Sequence, residues 1–177
     1  MRLIRKIPRI GWIAIGAVAV LAIASGTYLL IRPQQPEAPA QPVPFDHEVM
    51  VASGVSCLYC HADARRSAVA GMPSVQKCMG CHDVIKTNSD AIEQVAAYWK
   101  AGEPIPWARV NQLPRYVYFS HQAHVVAGQV SCEECHGDVA HMAEAQPIPN
   151  LTMGWCVSCH EKQPNREQLM DCVICHK

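Results

Sequence analysis

Five times in this chain a pair of cysteines, two residues apart, is followed at once by histidine, and none of the 10 cysteines lies outside these runs. The runs are CLYCH at 57–61, CMGCH at 78–82, CEECH at 132–136, CVSCH at 156–160 and CVICH at 172–176. C-x-x-C-H is the attachment signature of c-type haem. The two thiols bond covalently to the porphyrin, and the histidine supplies one axial nitrogen to the iron. The pattern implies five covalently bound haem c groups. They would be held by Cys57 and Cys60, Cys78 and Cys81, Cys132 and Cys135, Cys156 and Cys159, and Cys172 and Cys175. The proximal ligands would be His61, His82, His136, His160 and His176. Any fold must be built around these groups, and their chemistry is electron transfer.

Other meanings of C-x-x-C are a redox disulfide, half a zinc site or a structural bridge. With 9 histidines in 177 residues, about one position in twenty, accidental histidine after all five pairs has odds of roughly one in a million. Structural zinc draws four ligands per ion, which suits neither the five histidines nor an odd number of motifs.

The rest of the composition fits a chain that leans on its cofactors. It contains only two phenylalanines, and its formal net charge is +0. The conventional core looks thin, so the haems are expected to fill it. No basic or acidic field points to nucleic acid.

The N-terminus reads as a membrane anchor. Arg2, Arg5, Lys6 and Arg9 make a cytoplasmic basic flank over 1–9, and an uncharged apolar run follows over 10–31. At 1.5 Å rise this run reaches about 33 Å, against a bilayer core of roughly 30 Å. The positive flank is expected to stay in the cytoplasm, placing the remainder outside. That compartment suits haem attachment and cysteine-rich domains. A cleaved signal peptide is the competing reading, since Ala22-Ile23-Ala24 before Ser25 looks like a cleavage site. The apolar run continues through Tyr28-Leu29-Leu30-Ile31, which favours an uncleaved anchor.

Residues 32–44 hold Pro33, Pro36, Pro39, Pro42 and Pro44. They read as an extended linker, at about 3.1 Å per residue. Residues 45–177 form the haem domain, expected to be mostly α-helical with much irregular structure and almost no sheet. It contains a repeat: VPFDHEVMVASGVSCLYCH at 43–61 matches VYFSHQAHVVAGQVSCEECH at 117–136. Each copy is followed by a second motif, which defines dihaem modules over about 45–82 and 117–160, with a fifth haem at 172–176. A helix is expected over about 90–100, with Ala91, Val95 and Tyr98 on one face, capped by Asn88 or Ser89 and ended by Gly102. The segment EPIPWARVNQLPRYVY then bridges the modules. About 133 residues give a radius near 14 Å, so five macrocycles would lie nearly edge to edge as a wire.

Five proximal histidines leave His47, His121, His124 and His141. His47 and His121 share one repeat position and are expected as distal ligands. His124 follows His121 at one-turn spacing and can share its face. The matching residue in the first module is Met50, a thioether that can ligate iron and raise its potential. His141 and Met142 compete for a remaining place. Met72, Met79, Met153 and Met170 are expected to pack rather than ligate.

Two segments, PIPWARVNQLPRYVYFSHQAHV at 104–125 and LTMGWCVSCH at 151–160, carry a resemblance. Here the chain resembles the membrane-anchored pentahaem cytochrome c subunit of bacterial alternative complex III, a quinol-oxidising complex. The resemblance covers the haem domain. It implies an electron relay, not a catalytic subunit, on the periplasmic side of a bacterial inner membrane. Electrons would arrive from an iron–sulfur subunit within a set of membrane subunits and pass to a monohaem cytochrome c or a terminal oxidase. It also implies His47, His121, His124 and Met142 as distal ligands. Met50 departs from the family's usual histidine, and His141 stands in reserve. A stand-alone membrane-anchored quinol dehydrogenase feeding a periplasmic reductase is the alternative, disfavoured by the long linker. A multihaem nitrite reductase is disfavoured because no C-x-x-C-K occurs.

Overall fold

The computed structural model describes residues 9–31, 37–148 and 151–177. The chain divides into two compact units, residues 1–35 and 36–177.

The first unit contributes one helix, α1 (Arg9–Ile31). Its stretch Trp12–Ile31 is long and apolar enough to cross a membrane and is wholly unburied by protein. Two hydroxyls in its C-terminal half do not interrupt it. Ser25 Oγ donates to the Leu21 carbonyl at 2.7 Å, and Thr27 donates to the Ile23 carbonyl. Such back-bonding satisfies a polar group within the helix itself, as an apolar surrounding requires. The helix therefore runs through the Ala-x-Ala site without a break. The basic residues at 2–6 lie outside the described residues.

The second unit is a string of short helices: α2 (His47–Ala52), α3 (Cys57–Cys60), α4 (Val75–His82), α5 (Asp90–Ala101), α6 (Cys132–His136), α7 (Met153–His160), α8 (Arg166–Leu169) and α9 (Cys172–Cys175). Single 3-10 turns occupy Ala62–Arg65 and Val139–His141, and a π-helical turn occupies Ala123–Ala127. Among the described residues the only β pairing is an isolated antiparallel bridge between Val117 and His176. The expectation of a mostly helical and irregular domain holds.

Helix boundaries follow local chemistry. Asp46, Ser74, Thr152 and Asp171 cap α2, α4, α7 and α9 by accepting from backbone N–H groups of the first turn, which offsets otherwise orphaned donors. The helix expected over 90–100 is α5. Ser89 stands at its start, and Gly102 ends it at φ 70°, where a side chain would be strained.

The apolar core is small. Among the described residues only Val43, Ala64, Val75, Val95 and Ile105 are buried hydrophobics. Four of these cluster, with Cys78, Met79, Ala91, Tyr98 and Trp107 packed against them. Ala91, Val95 and Tyr98 are the face of α5 that the sequence marks as apolar. Val43, only 2% exposed, falls in the proline-rich stretch read as spacer. Gln41 beside it is pinned at both ends of its amide: Nε2 donates to the Ala108 carbonyl at 3.1 Å, and Oε1 accepts from the Ala108 N–H at 3.0 Å. Residues 37–44 therefore pack as part of the domain. The prolines keep the backbone extended, and an extended segment can still bury one side chain of every two. The remaining linker residues, 32–36, lie outside the described residues.

Candidate haem-binding site

Each attachment motif sits on or against a one- or two-turn helix. The first, third and fifth begin α3, α6 and α9 at their first cysteine. The second and fourth end α4 and α7 at their histidine. Three-residue spacing in a helix brings both thiols to one face. No two of the ten cysteines are joined in a disulfide. Burial pushes the Cys60, Cys78, Cys132, Cys135 and Cys156 thiols up, with neighbouring cysteines adding to it. A raised thiol stays protonated. It is a poor redox nucleophile, and a sulfur that becomes an uncharged thioether loses nothing by such burial.

The histidines are prepared as ligands. His61 Nδ1 donates to the Gly71 carbonyl at 2.8 Å, and His82 Nδ1 to the Ile85 carbonyl at 3.1 Å. His121 Nδ1 donates to Ala68 at 2.9 Å, His124 Nδ1 to Ser120 at 2.8 Å, and His160 Nδ1 to Leu169 at 3.2 Å. A carbonyl can only accept, so Nδ1 must carry the proton and Nε2 presents its lone pair. That is the tautomer a metal needs, and the partner fixes the ring's orientation. Gly71 sits at φ 77°, and a Cβ there would meet Asp63 Oδ2 at 2.8 Å. Glycine is thus required where its carbonyl holds His61.

The sharpest geometric sign is a pair of distances. The His121 and His136 ring centroids are 6.2 Å apart with planes 1° from parallel. Those of His124 and His160 are 6.1 Å apart at 27°. Two imidazoles on opposite sides of one metal ion, each nitrogen about 2.0 Å away, have centroids about 6 Å apart. These residues fit a six-coordinate iron between them. His121 and His124 come from one helical segment, yet each faces a different attachment motif. His47 lies close to His61. Its imidazole is held below the usual range by burial first and then by that neighbour. His136 is lowered by burial and by His121 and His61. A lowered imidazole is neutral, which is the ligating form.

The contested positions separate. The turn Val139–His141 packs on α2, and the Met142 carbonyl accepts from Glu48 N–H at 3.3 Å. Met50 and Met142 are both half-buried in this neighbourhood, whereas His141 is exposed. His141 Nδ1 is bound to Asp138 Oδ1 at 2.7 Å, which raises its pKa through the hydrogen bond and the carboxylate's charge.

Sequence reasoning missed the carbonyl partners, because backbone oxygens leave no residue signature. It also missed Asn111. The side-chain oxygen of Asn111 accepts from Ile148 N–H at 2.9 Å, and its amide nitrogen lies 3.4 Å from His136 Nδ1. An asparagine in a proline-rich bridge looks like a turn residue.

Residues 117–177 match the family described as cytochrome c7 and related cytochrome c. The chain is also 30% identical, over 161 residues covering 77% of each sequence, to the multiheme cytochrome c subunit of a menaquinone reductase from Nitratidesulfovibrio vulgaris. The chain belongs to this family of multihaem cytochromes c, whose haem c groups are covalently bound.

Proposed function

We propose that the chain carries five haem c groups, one on each C-x-x-C-H motif, and relays electrons within a quinone-linked membrane complex. The two histidine pairs at 6.2 and 6.1 Å carry the reading, because that separation suits a shared metal ion and carbonyl partners leave Nε2 of His121, His124 and His160 free to ligate. Each bound haem supplies a one-electron Fe(III)/Fe(II) couple. The residues do the rest. The thiols would anchor the porphyrins, the histidine of each motif would ligate iron, and the further imidazoles and thioethers would keep water from it. The backbone carbonyls set imidazole basicity. On this reading His47, His121 and His124 are distal ligands, and Met50 and Met142 serve two further positions. The exposure of His141 supports keeping it in reserve. A methionine ligand raises the potential relative to histidine.

The complex is of the alternative complex III type. An iron–sulfur partner donates, and a monohaem cytochrome c or a terminal oxidase accepts. The resemblance at 104–125 and 151–160 supports this. The similarity to a menaquinone reductase subunit supports a quinone-linked assembly and admits flow in the opposite sense, toward quinone. Residues 37–44 pack into the domain, so the spacer is shorter than its prolines suggest. The argument from spacer length against a stand-alone quinol dehydrogenase weakens accordingly, and the partners must decide.

Intact mass and haem staining of the protein purified from bacterial membranes test the core reading. Five added haems are expected, and fewer overturn it. Co-purification with an iron–sulfur subunit is expected. Recovery as a lone chain that oxidises quinol by itself supports the alternative.

A further inference from the structure

Contacts between the attachment motifs give them a spatial order that differs from their order along the chain. The second motif adjoins the first. Lys77, immediately before Cys78, donates from Nζ to the Tyr59 carbonyl at 2.5 Å and sits 5.1 Å from the Tyr59 ring centre. Tyr59 lies inside the first motif. The Cys60 and Cys78 sulfurs are electrostatic neighbours.

The first motif adjoins the third across the repeat boundary. The Cys57 and Cys132 side chains are neighbours. His121 N–H donates to the Ala68 carbonyl at 3.1 Å, and Gln122 N–H donates to Ser67 at 3.0 Å. Ser67 and Ala68 close the turn that follows His61. This seats the second repeat's leading segment on the first repeat, and that segment in turn presents His121 to His136.

The third motif adjoins the fourth. His121 and His124, three residues apart, face His136 and His160 respectively. The Cys135 sulfur neighbours those of both Cys156 and Cys159. The fourth adjoins the fifth. Cys156 neighbours Cys175, and His160 Nδ1 is held by the Leu169 carbonyl at 3.2 Å, just ahead of the fifth motif.

From these contacts we infer that the five motifs are strung in the order second, first, third, fourth, fifth, with CMGCH at 78–82 and CVICH at 172–176 as the two ends. The inference rests on the five-haem reading. The first and third motifs form the junction between the repeats, so an electron crossing between repeats passes there. At one end a one-electron reductant, a metalloprotein, gives up one electron. At the other a one-electron oxidant gains one. No bond forms or breaks and no proton is required.

The test uses full-length protein with its haems. Wild-type protein must first show five haems by mass; fewer sinks the five-haem reading and leaves the motif order unsupported with it. Redox titration followed by electron paramagnetic resonance then compares the paired substitutions C78A/C81A, C132A/C135A and C172A/C175A, each expected to lose one haem. Loss of either end should shift one remaining haem, and a different one for each end. Loss of the third motif should shift two. Two haems shifted from either end, one from the middle, or the same haem shifted from both ends overturns the order. Where a cysteine variant loses more than one haem, His82→Met and His176→Met keep the thioethers and change one potential at each end. Each should again shift a single neighbour, and two shifted neighbours overturn the order.

Discussion

The two repeats present one histidine in the same way and the next position differently. Phe45 meets His47 edge-on, with centroids 4.8 Å apart at 81°. Phe119 meets His121 at 4.9 Å and 90°. An aromatic edge against a ring face is a favoured geometry, and here it sets the imidazole's rotation. Three residues on, the repeats part. His124 stacks on Phe119 at 4.5 Å and 25°. Met50 stands at its counterpart, and Phe45 turns its other side to Trp107 at 6.3 Å and 82°. The surrounding backbone differs as well. The first repeat has a capped α2, and the second has a π-helical turn over Ala123–Ala127, which widens the winding after His121. His121 Nδ1 has its carbonyl, whereas His47 Nδ1 is buried without a partner. The Phe–His pair is the shared scaffold. On the proposed reading, the position three residues later is where the repeats would acquire different electronic properties.

Replacing the shared histidine should have the largest effect on this comparison. His121→Ala and His47→Ala should each convert one low-spin haem to high-spin, read by electron paramagnetic resonance. His124→Ala should convert a different haem from His121→Ala. The same signal lost in both would break the assignment of one histidine to each motif. Next in size, Val43→Ala should cost about 2 kcal/mol in thermal unfolding of the haem-loaded protein, as expected for a buried aliphatic truncation. A neutral result would return residues 37–44 to the role of spacer. Phe45→Leu and Phe119→Leu should each cost about 1 kcal/mol for the lost aromatic pairing. Phe119→Leu should be the worse of the two, because it touches two imidazoles. Met50→His should lower one haem potential and remove one methionine charge-transfer band in the near infrared, making the first repeat resemble the second. An unchanged spectrum would take Met50 off the iron. The smallest effect belongs to His141→Ala, which should leave every haem signal in place, since His141 is exposed and committed to Asp138.

Much of the helical framework was legible beforehand because its signals are local. The α5 helix, its Gly102 stop and its apolar face at Ala91, Val95 and Tyr98 follow from spacing and capping within a few residues. The proline stretch misled, because composition reports backbone stiffness and says nothing about whether Val43 finds a hydrophobic cluster. The π-helical turn also left no mark, since regular one-turn spacing of His121 and His124 reads as α-helix.

The amino-acid sequence by itself determined where haem can be attached and which histidine follows each pair. A C-x-x-C-H run places its own thiols and imidazole within one helical turn, so no distant residue is needed. Tertiary structure alone decided which of the other histidines faces which motif, which carbonyls hold Nδ1 atoms, and which motifs lie side by side. His121 reaches Ala68 across 53 positions, and Cys57 reaches Cys132 across the repeat boundary. Contacts of that range depend on how the repeats pack, and spacing along the chain does not encode them.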